Sequence, residues 1–176
     1  MNQSLLPALP CMCGSLRRTS RALTQLYERS LRPLGLRASQ FTILQLLSLA
    51  GEVSQGQLGE MLAMDSTTLT RTLEIMGRRG WIAGRRGEDR RERWLRLAKA
   101  GEMQLKRALP AWEKVQSRLR HQLGEQTWKN FLQLTNQVTE IAATKGGRYE
   151  KLSEAHRQSH RRMVAFGPVR FGTAFV

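Results

Sequence analysis

The sequence predicts a mainly α-helical chain that carries one small β-hairpin. Three observations lead to that expectation. Apolar residues recur at three-or-four spacing from Leu16 to about Arg79, and again from about Lys99 onward. Between those stretches the period shortens in Trp81-Ile82-Ala83 and Trp94-Leu95-Arg96-Leu97, which read as two strands around a charged link. Finally, Lys plus Arg number 29 against 14 Asp plus Glu in 176 residues, a net charge of +15. Such a surplus favours a polyanionic partner, nucleic acid more often than an anionic membrane surface. Composition does not by itself separate DNA from RNA or ribosome.

The elements follow in order. Leu16, Thr19, Leu23, Leu26, Tyr27, Ser30 and Leu34 form one face of a first helix, ended by Pro33 and Gly35. Ser39 then has the character of an N-cap for a second helix with Phe41, Leu44 and Leu47, stopping at Gly51. Ser54-Gln55-Gly56-Gln57 has the form of a capping box and opens a short third helix with Leu58, Met61 and Leu62. Asp65 or Ser66 caps a fourth helix running through Leu69, Leu73 and Met76 to about Arg79, where Gly80 stops it. Two short helices around Ala63-Met64-Asp65 make a helix-turn-helix. The hairpin follows directly, and its tip, Arg85 to Arg93, is nearly all charged and contains Gly87. A helix-turn-helix followed by a basic hairpin is a winged helix.

Beyond it a long helical pattern holds Met103, Leu105, Leu109, Trp112, Val115 and Leu119, with a kink or break expected at Pro110. Gly124 separates this from a last helix with Trp128, Phe131, Leu132, Leu134, Val138 and Ile141. The expected organisation is a flexible arm over 1–14, helical dimerisation regions over 15–34 and 99–143, a winged helix-turn-helix domain over 36–97, and a basic, partly disordered tail over 145–176. The arms before Leu34 and after Lys99 are apolar on one face and have no partner in a lone winged helix. Packing across a two-fold axis would cover them, so a homodimer is expected.

The segments Met64-Asp65-Ser66-Thr67-Thr68-Leu69-Thr70-Arg71, Arg79-Gly80-Trp81-Ile82, Glu88-Asp89-Arg90-Arg91 and Leu97-Ala98-Lys99-Ala100-Gly101 resemble, in order and spacing, the signature of the MarR family of bacterial regulators. The resemblance, which Ala108-Leu109-Pro110-Ala111-Trp112 extends, covers roughly residues 13–143. One departure is Ala98, where the family usually has a Thr able to cap the next helix. The resemblance implies a dimer with a winged helix on each side, reading the two half-sites of a pseudo-palindromic operator in double-stranded DNA.

On that basis the fourth helix enters the major groove and presents Ser66, Thr67, Thr68, Thr70 and Arg71. Hydroxyls at a helix start suit phosphate oxygens, and Arg71 suits either two acceptors on guanine or a phosphate. The wing brings Arg85, Arg86, Arg90, Arg91 and Arg93, a narrow basic arm suited to the minor groove. Asp89 would be repelled by DNA, and in the family its counterpart pairs with the arginine two positions on, here Arg91.

For a signal, the stretch from Cys13 through Tyr27 is similar in spacing to the first helix of the organic-hydroperoxide-sensing branch of the family. That similarity implies a reactive thiol at Cys13 and a hydroxyl supplied to it by Tyr27. A thiol at a helix N-terminus with Arg17 a turn away favours its thiolate. Arg17 stands where that branch has a second tyrosine, and the competing view of Cys13 is a small buried hydrophobe. A small aromatic acid paired with Arg17 and Arg18 is the other candidate signal.

Other classes are disfavoured. No run approaches the roughly 18 apolar residues that span a bilayer, and Leu5 to Cys11 has no basic residue ahead of it and two prolines within it. Cys11 and Cys13 lie too close for an unstrained bridge, and with His156 and His160 on one face lacking a third ligand, no metal or cofactor is expected. No general base, phosphate loop or metal set accompanies the thiol, so no enzyme is expected. The expectation is a cytoplasmic, operator-binding repressor released by a small-molecule or oxidant signal. The alternative is a basic RNA- or ribosome-associated winged-helix adaptor.

Overall fold

The computed structural model describes residues 10–89 and 92–144. Along the chain run α1 (Met12–Leu31), a single 3-10 turn (Arg32–Leu34), α2 (Ala38–Ala50), β1 (Glu52–Ser54), α3 (Gln55–Leu62), α4 (Ser66–Arg78), β2 (Ile82–Arg86), β3 (Arg93–Leu97), α5 (Lys99–Leu123) and α6 (Glu125–Thr144). They fall into two compact units that divide between Arg118 and Leu119. The protein is thus mostly helical with a small antiparallel sheet, as the periodicity predicts.

Four local features differ from the sequence-based expectation. Helix α1 opens at Met12, so the last residues of the expected 1–14 arm are helical and Cys13 lies inside the helix. Helix α2 starts at Ala38, with Arg37 rather than Ser39 at the N-cap position. Arg37 offers no side-chain acceptor. Two other residues take the orphan amides: Gln40 Oε1 accepts the Arg37 N–H at 3.0 Å, and Glu28 Oε1, reaching from α1, accepts the Ala38 N–H at 3.0 Å. The same Glu28 carboxylate pairs with Arg32 at 3.1 Å, which fixes the corner between the two helices.

The third difference is β1, a strand of three residues that lies beside β3 and makes a three-stranded sheet in the order β1-β3-β2. It is too short for alternation to reveal. The fourth is α5, where the chain stays helical through Pro110 for 25 residues, so of the kink or break expected there the break does not occur. Pro110 faces solvent, while Ala108 is buried before it, Val115 is buried after it, and Trp112 packs at 5.8 Å against Phe41 of α2. Side-chain packing on both sides of the proline holds the helix through the missing amide bond.

The core of the first unit gathers Leu31, Leu36, Phe41, Ile43, Leu44 and Leu47 with Leu58, Leu69, Leu73 and Met76, and with Ile82 and Leu95 of the sheet. Leu105 and Ala108 of α5 close it. In the second unit, α6 keeps Trp128, Phe131 and Val138 half-buried and leaves Leu132, Leu134 and Ile141 exposed at 45%, 58% and 69%.

Helix α5 starts without the cap that Ala98 cannot supply. The Ala98 N–H donates instead to the Trp81 carbonyl at 3.0 Å, and the Ala98 carbonyl accepts from Glu102 at 3.0 Å. This brings the first turn of α5 onto the Trp81 backbone, where a Cβ on Gly101 would lie 2.0 Å from the Trp81 oxygen. Only glycine allows that approach. Gly101→Ala is therefore expected to lower stability by about 3 kcal/mol, the upper end for an overpacked site, in urea unfolding. Gly77, helical and with nothing within 4 Å of an added Cβ, is the contrasting position. Gly77→Ala should raise stability by about 0.5–1 kcal/mol, and a loss there would contradict the packing described.

Candidate nucleic-acid interface

The helix-turn-helix is built by local capping. Ser54 Oγ accepts from the Gln57 N–H at 3.2 Å while Gln57 Oε1 accepts from the Ser54 N–H at 2.9 Å, the reciprocal box read from the sequence. Helix α3 ends at Ala63, a non-glycine residue in the left-handed region at φ 49°. The Met64 N–H closes that end on the Gly59 carbonyl at 2.9 Å. Of the two cap candidates for α4 it is Asp65 that serves, its Oδ1 accepting from the Thr68 N–H at 2.9 Å.

Helix α4 then has two unlike faces. Leu69, Leu73 and Met76 are buried, whereas Ser66, Thr67, Thr68 and Arg71 are exposed together on its first turn and a half. Thr70 differs from the other hydroxyl residues. It is half-buried, and its Oγ1 accepts from Gln55 Nε2 at 2.9 Å. Gln55 was not among the residues singled out from the sequence. A bond between positions fifteen apart has no sequence pattern, although the Ser54 box does fix Gln55 as the first residue of α3.

The wing strands extend further toward the tip than the sequence suggests, so Arg85 and Arg86 lie in β2 and Arg93 joins Arg96 in β3, while Trp81 falls just before β2. At the tip the Gly87 N–H donates to the Glu92 carbonyl and the Glu92 N–H to the Asp89 carbonyl, each at 2.9 Å. Arg86 and Arg93 face one another across the hairpin, both exposed, and no ion pair involves either among the described residues. Like charges directly opposite destabilise a strand pair unless something neutralises them. Arg85 is different, because both oxygens of Glu52 take its guanidinium, at 2.9 and 2.6 Å. Arg90 and Arg91, and with them the expected pairing of Asp89 with Arg91, lie outside the described residues. So does the 145–176 tail with His156 and His160.

Of the candidate signal residues, Cys13 is exposed in the chain rather than a small buried hydrophobe, and Cys11 is exposed beside it. Arg17 is exposed and Arg18 half-buried, both on the first turns of α1. Tyr27 is on the same helix as Cys13, fourteen residues later, so about 21 Å separates them along the axis at 1.5 Å per residue. The Tyr27 hydroxyl of one chain thus cannot reach the Cys13 of that same chain. Burial pushes the Tyr27 phenol up from its ordinary 10.0, so it stays protonated and able to donate. Among the described residues no group of three or more metal-ligating side chains comes together, and no helix is long and apolar enough to cross a membrane.

Residues 36–92, the helix-turn-helix and most of the wing, match the model of the MarR family. An uncharacterized HTH-type transcriptional regulator of Bacillus subtilis, YwoH, is 32% identical over 84 residues, which are 48% of this chain and 61% of that protein. The transcriptional regulator MosR of M. tuberculosis, solved in complex with DNA, superposes with a TM-score of 0.70 at 32% identity over 77% of this chain and 98% of that one. A mutant of MarR from E. coli complexed with operator DNA shares the fold with a TM-score of 0.64 at 22% identity, over 71% of this chain and 91% of that one.

The Asp65 cap carries a pH dependence. Thr68, through its side chain and its N–H, holds the Asp65 carboxyl below its ordinary 3.8. A depressed folded value means that the cap's contribution is full above 3.8 and is lost as the pH falls through the lower folded value. Thermal melts of wild type should therefore lose ground to Asp65→Asn below that pH, since asparagine caps without titrating. Asp65→Ala should melt lower than both at neutral pH. Equal acid sensitivity of wild type and Asp65→Asn would exclude the cap as its source.

Proposed function

The chain belongs to the MarR family of winged-helix transcription regulators, which are not enzymes, and from that membership we propose that it is a cytoplasmic, sequence-specific DNA-binding repressor acting as a homodimer on a pseudo-palindromic operator. The observation that carries the reading is the pairing of two exposed, chemically matched elements. One is the first turn of α4, with Ser66, Thr67, Thr68 and Arg71 outward and a buried leucine face behind them. The other is the wing, where Arg86 and Arg93 stand opposed with no ion pair to either among the described residues. A polyanion resolves the repulsion between those arginines, and a groove fits the helix. The DNA complex of MosR, which this chain covers almost end to end, supports the same reading.

The division of labour follows from the chemistry. Hydroxyls on the first turn of α4 set the register on phosphates, Arg71 reads a base edge, and the wing-tip arginines Arg86 and Arg93 add sequence-independent affinity. The homodimer follows from apolar surface left uncovered in one chain: Met12 and Leu16 on α1, and Leu132, Leu134 and Ile141 on α6. Side chains of that size repeated on helix faces are the usual mark of an interface. A signal then acts on the same helices. Cys13 with Tyr27 is one candidate, and their separation along α1 requires the hydroxyl to come from the second copy. A small aromatic acid held by Arg17 and Arg18 is the other.

Three measurements test these statements. Binding to a duplex selected from a random pool, titrated across salt, should lose about one unit of log–log slope in Arg86→Ala, and about 1–3 kcal/mol of sequence preference in Arg71→Ala. Wild-type behaviour in both variants would misplace the reading elements, and a preference for single-stranded or duplex RNA would replace the reading with an RNA-binding one. Sedimentation at micromolar concentration should give a dimer that Leu134→Glu with Ile141→Glu converts to monomer, with loss of tight binding to a full palindrome. Cumene hydroperoxide should release wild type and Cys11→Ser from the selected duplex but not Cys13→Ser. Retained affinity with Cys13 oxidised by mass spectrometry would leave the aromatic acid as the signal.

A further inference from the structure

The exposed face of the sheet holds a cluster that the reading above does not use. Pairing sets Ser54, Trp94 and Arg85 in one row across the three strands, and Glu52, Arg96 and Ala83 in the next. Val53 and Leu95 turn to the buried side, so alternation puts these six side chains on the outer face. Arg85 leaves its own row there. It reaches diagonally across β3 to Glu52, Nε to Oε1 at 2.9 Å and Nη2 to Oε2 at 2.6 Å, with its guanidinium carbon 5.5 Å from the Trp94 ring centroid. The indole N–H of Trp94 donates in turn to Glu92 Oε2 at 3.2 Å, which sets the ring beneath the guanidinium.

Strands β1 and β2 are not neighbours, so this pair is a tie that spans the central strand. One end is on the strand that runs directly into α3, and the other is one residue before Arg86 at the wing tip. An ordinary surface ion pair contributes little, but a two-pronged guanidinium–carboxylate contact laid over an aromatic ring is the geometry in which such pairs matter. Resting on the DNA-binding reading, we propose that Arg85 is a positioning residue and not a phosphate contact: Glu52 and Trp94 hold its guanidinium so that the wing tip, with Arg86 and Arg93, stands at a fixed angle to the helix-turn-helix. The lowered carboxyl of Glu52, caused first by its hydrogen bond from Arg85 and then by the charges of Arg85 and Arg96, agrees with a pair formed in the free protein. A guanidinium already neutralised by a carboxylate condenses no anion on its own and releases no counterion from DNA.

The test uses the full chain with a duplex of random sequence and the duplex selected from a random pool, titrated across salt. Arg85→Gln should weaken binding to the selected duplex several-fold with the log–log slope unchanged, and Arg85→Lys should not rescue it, because an ammonium cannot span both oxygens. Glu52→Gln should steepen the slope by up to about one unit as the freed Arg85 meets phosphate. In nitrogen-edited NMR the Arg85 Nε–H signal should be protected in the free protein, persist with DNA bound, and vanish in Glu52→Gln. A slope about one unit flatter in Arg85→Gln, or loss of the protected signal when DNA is added, would make Arg85 a phosphate contact and overturn the proposal. If wild type binds neither duplex, the DNA reading itself fails, while a protected signal absent from the free protein removes the tie independently.

Discussion

Three elements meet on the backbone of one residue, Trp81, and their arrangement depends on that meeting. Its N–H donates to the Met76 carbonyl at 3.0 Å, which ends α4. Its carbonyl accepts the Ala98 N–H at 3.0 Å, which places the end of the wing beside its beginning. The same carbonyl sets the distance of closest approach for α5 at Gly101. The side chain is buried, with the Arg79 guanidinium carbon 4.8 Å from its ring centroid. The helix bearing Arg71, the strands bearing Arg86 and Arg93, and the long helix that follows therefore share one fixed point. That point is largely made of main-chain groups, so its hydrogen bonds survive many side-chain changes but not a Cβ in the wrong place.

A second junction lies at the corner after α1. The Leu34 carbonyl accepts from Gln104 Nε2 at 2.8 Å and from Arg107 Nη2 at 2.7 Å, both on α5, while the Gly35 carbonyl accepts from Arg79 at the end of α4. Gly35 is left-handed at φ 73°, which turns its carbonyl toward that arginine. Carbonyls exposed at the end of a helix are ordinarily satisfied by water or by the next turn. Here cationic and amide donors from two other helices take them, so the corner after α1 is tied to the C-terminus of α4 and to α5 together.

The sequence made the repeating parts of this architecture legible and left the unique contacts hidden. Helices α3 and α4 and their caps at Ser54 and Asp65 could be read because capping is local, within three residues. The strands around Trp81 and Trp94 could be read because their period is two. Strand β1 could not, since three residues do not establish a period. The start of α2 is hidden for a related reason. Ser39 has the composition of a cap, yet the Ala38 N–H is taken by Glu28, ten residues before it, which only the folded corner brings near. At the site, exposure of Ser66, Thr67, Thr68 and Arg71 follows from helical phase and was legible. The Gln55–Thr70 and Glu52–Arg85 contacts were not, because positions fifteen and thirty-three apart meet only through the fold. Cys13 and Tyr27 show the converse: their motif is legible, but helix geometry forbids the contact within one chain.

Charge alone treated all wing arginines as equivalent, and the sheet separates them. Arg85 has a carboxylate within 2.6 Å and a ring beneath it, whereas Arg86, its neighbour in the same strand, faces Arg93. A folded protein tolerates an opposed arginine pair at an exposed tip because water and salt screen it there, about 8 Å being the reach of a charge at physiological ionic strength. The same pair placed against a polyanion becomes attractive to it without any rearrangement. Glu52 thus has a consequence beyond its partner: it neutralises Arg85 in the row before the tip and leaves Arg86 and Arg93 as the opposed pair beyond it. The net charge of +15 measures how much polyanion the protein attracts. The distribution across the sheet separates an arginine already paired with a carboxylate from two that stand opposed, a distinction that the net charge does not contain.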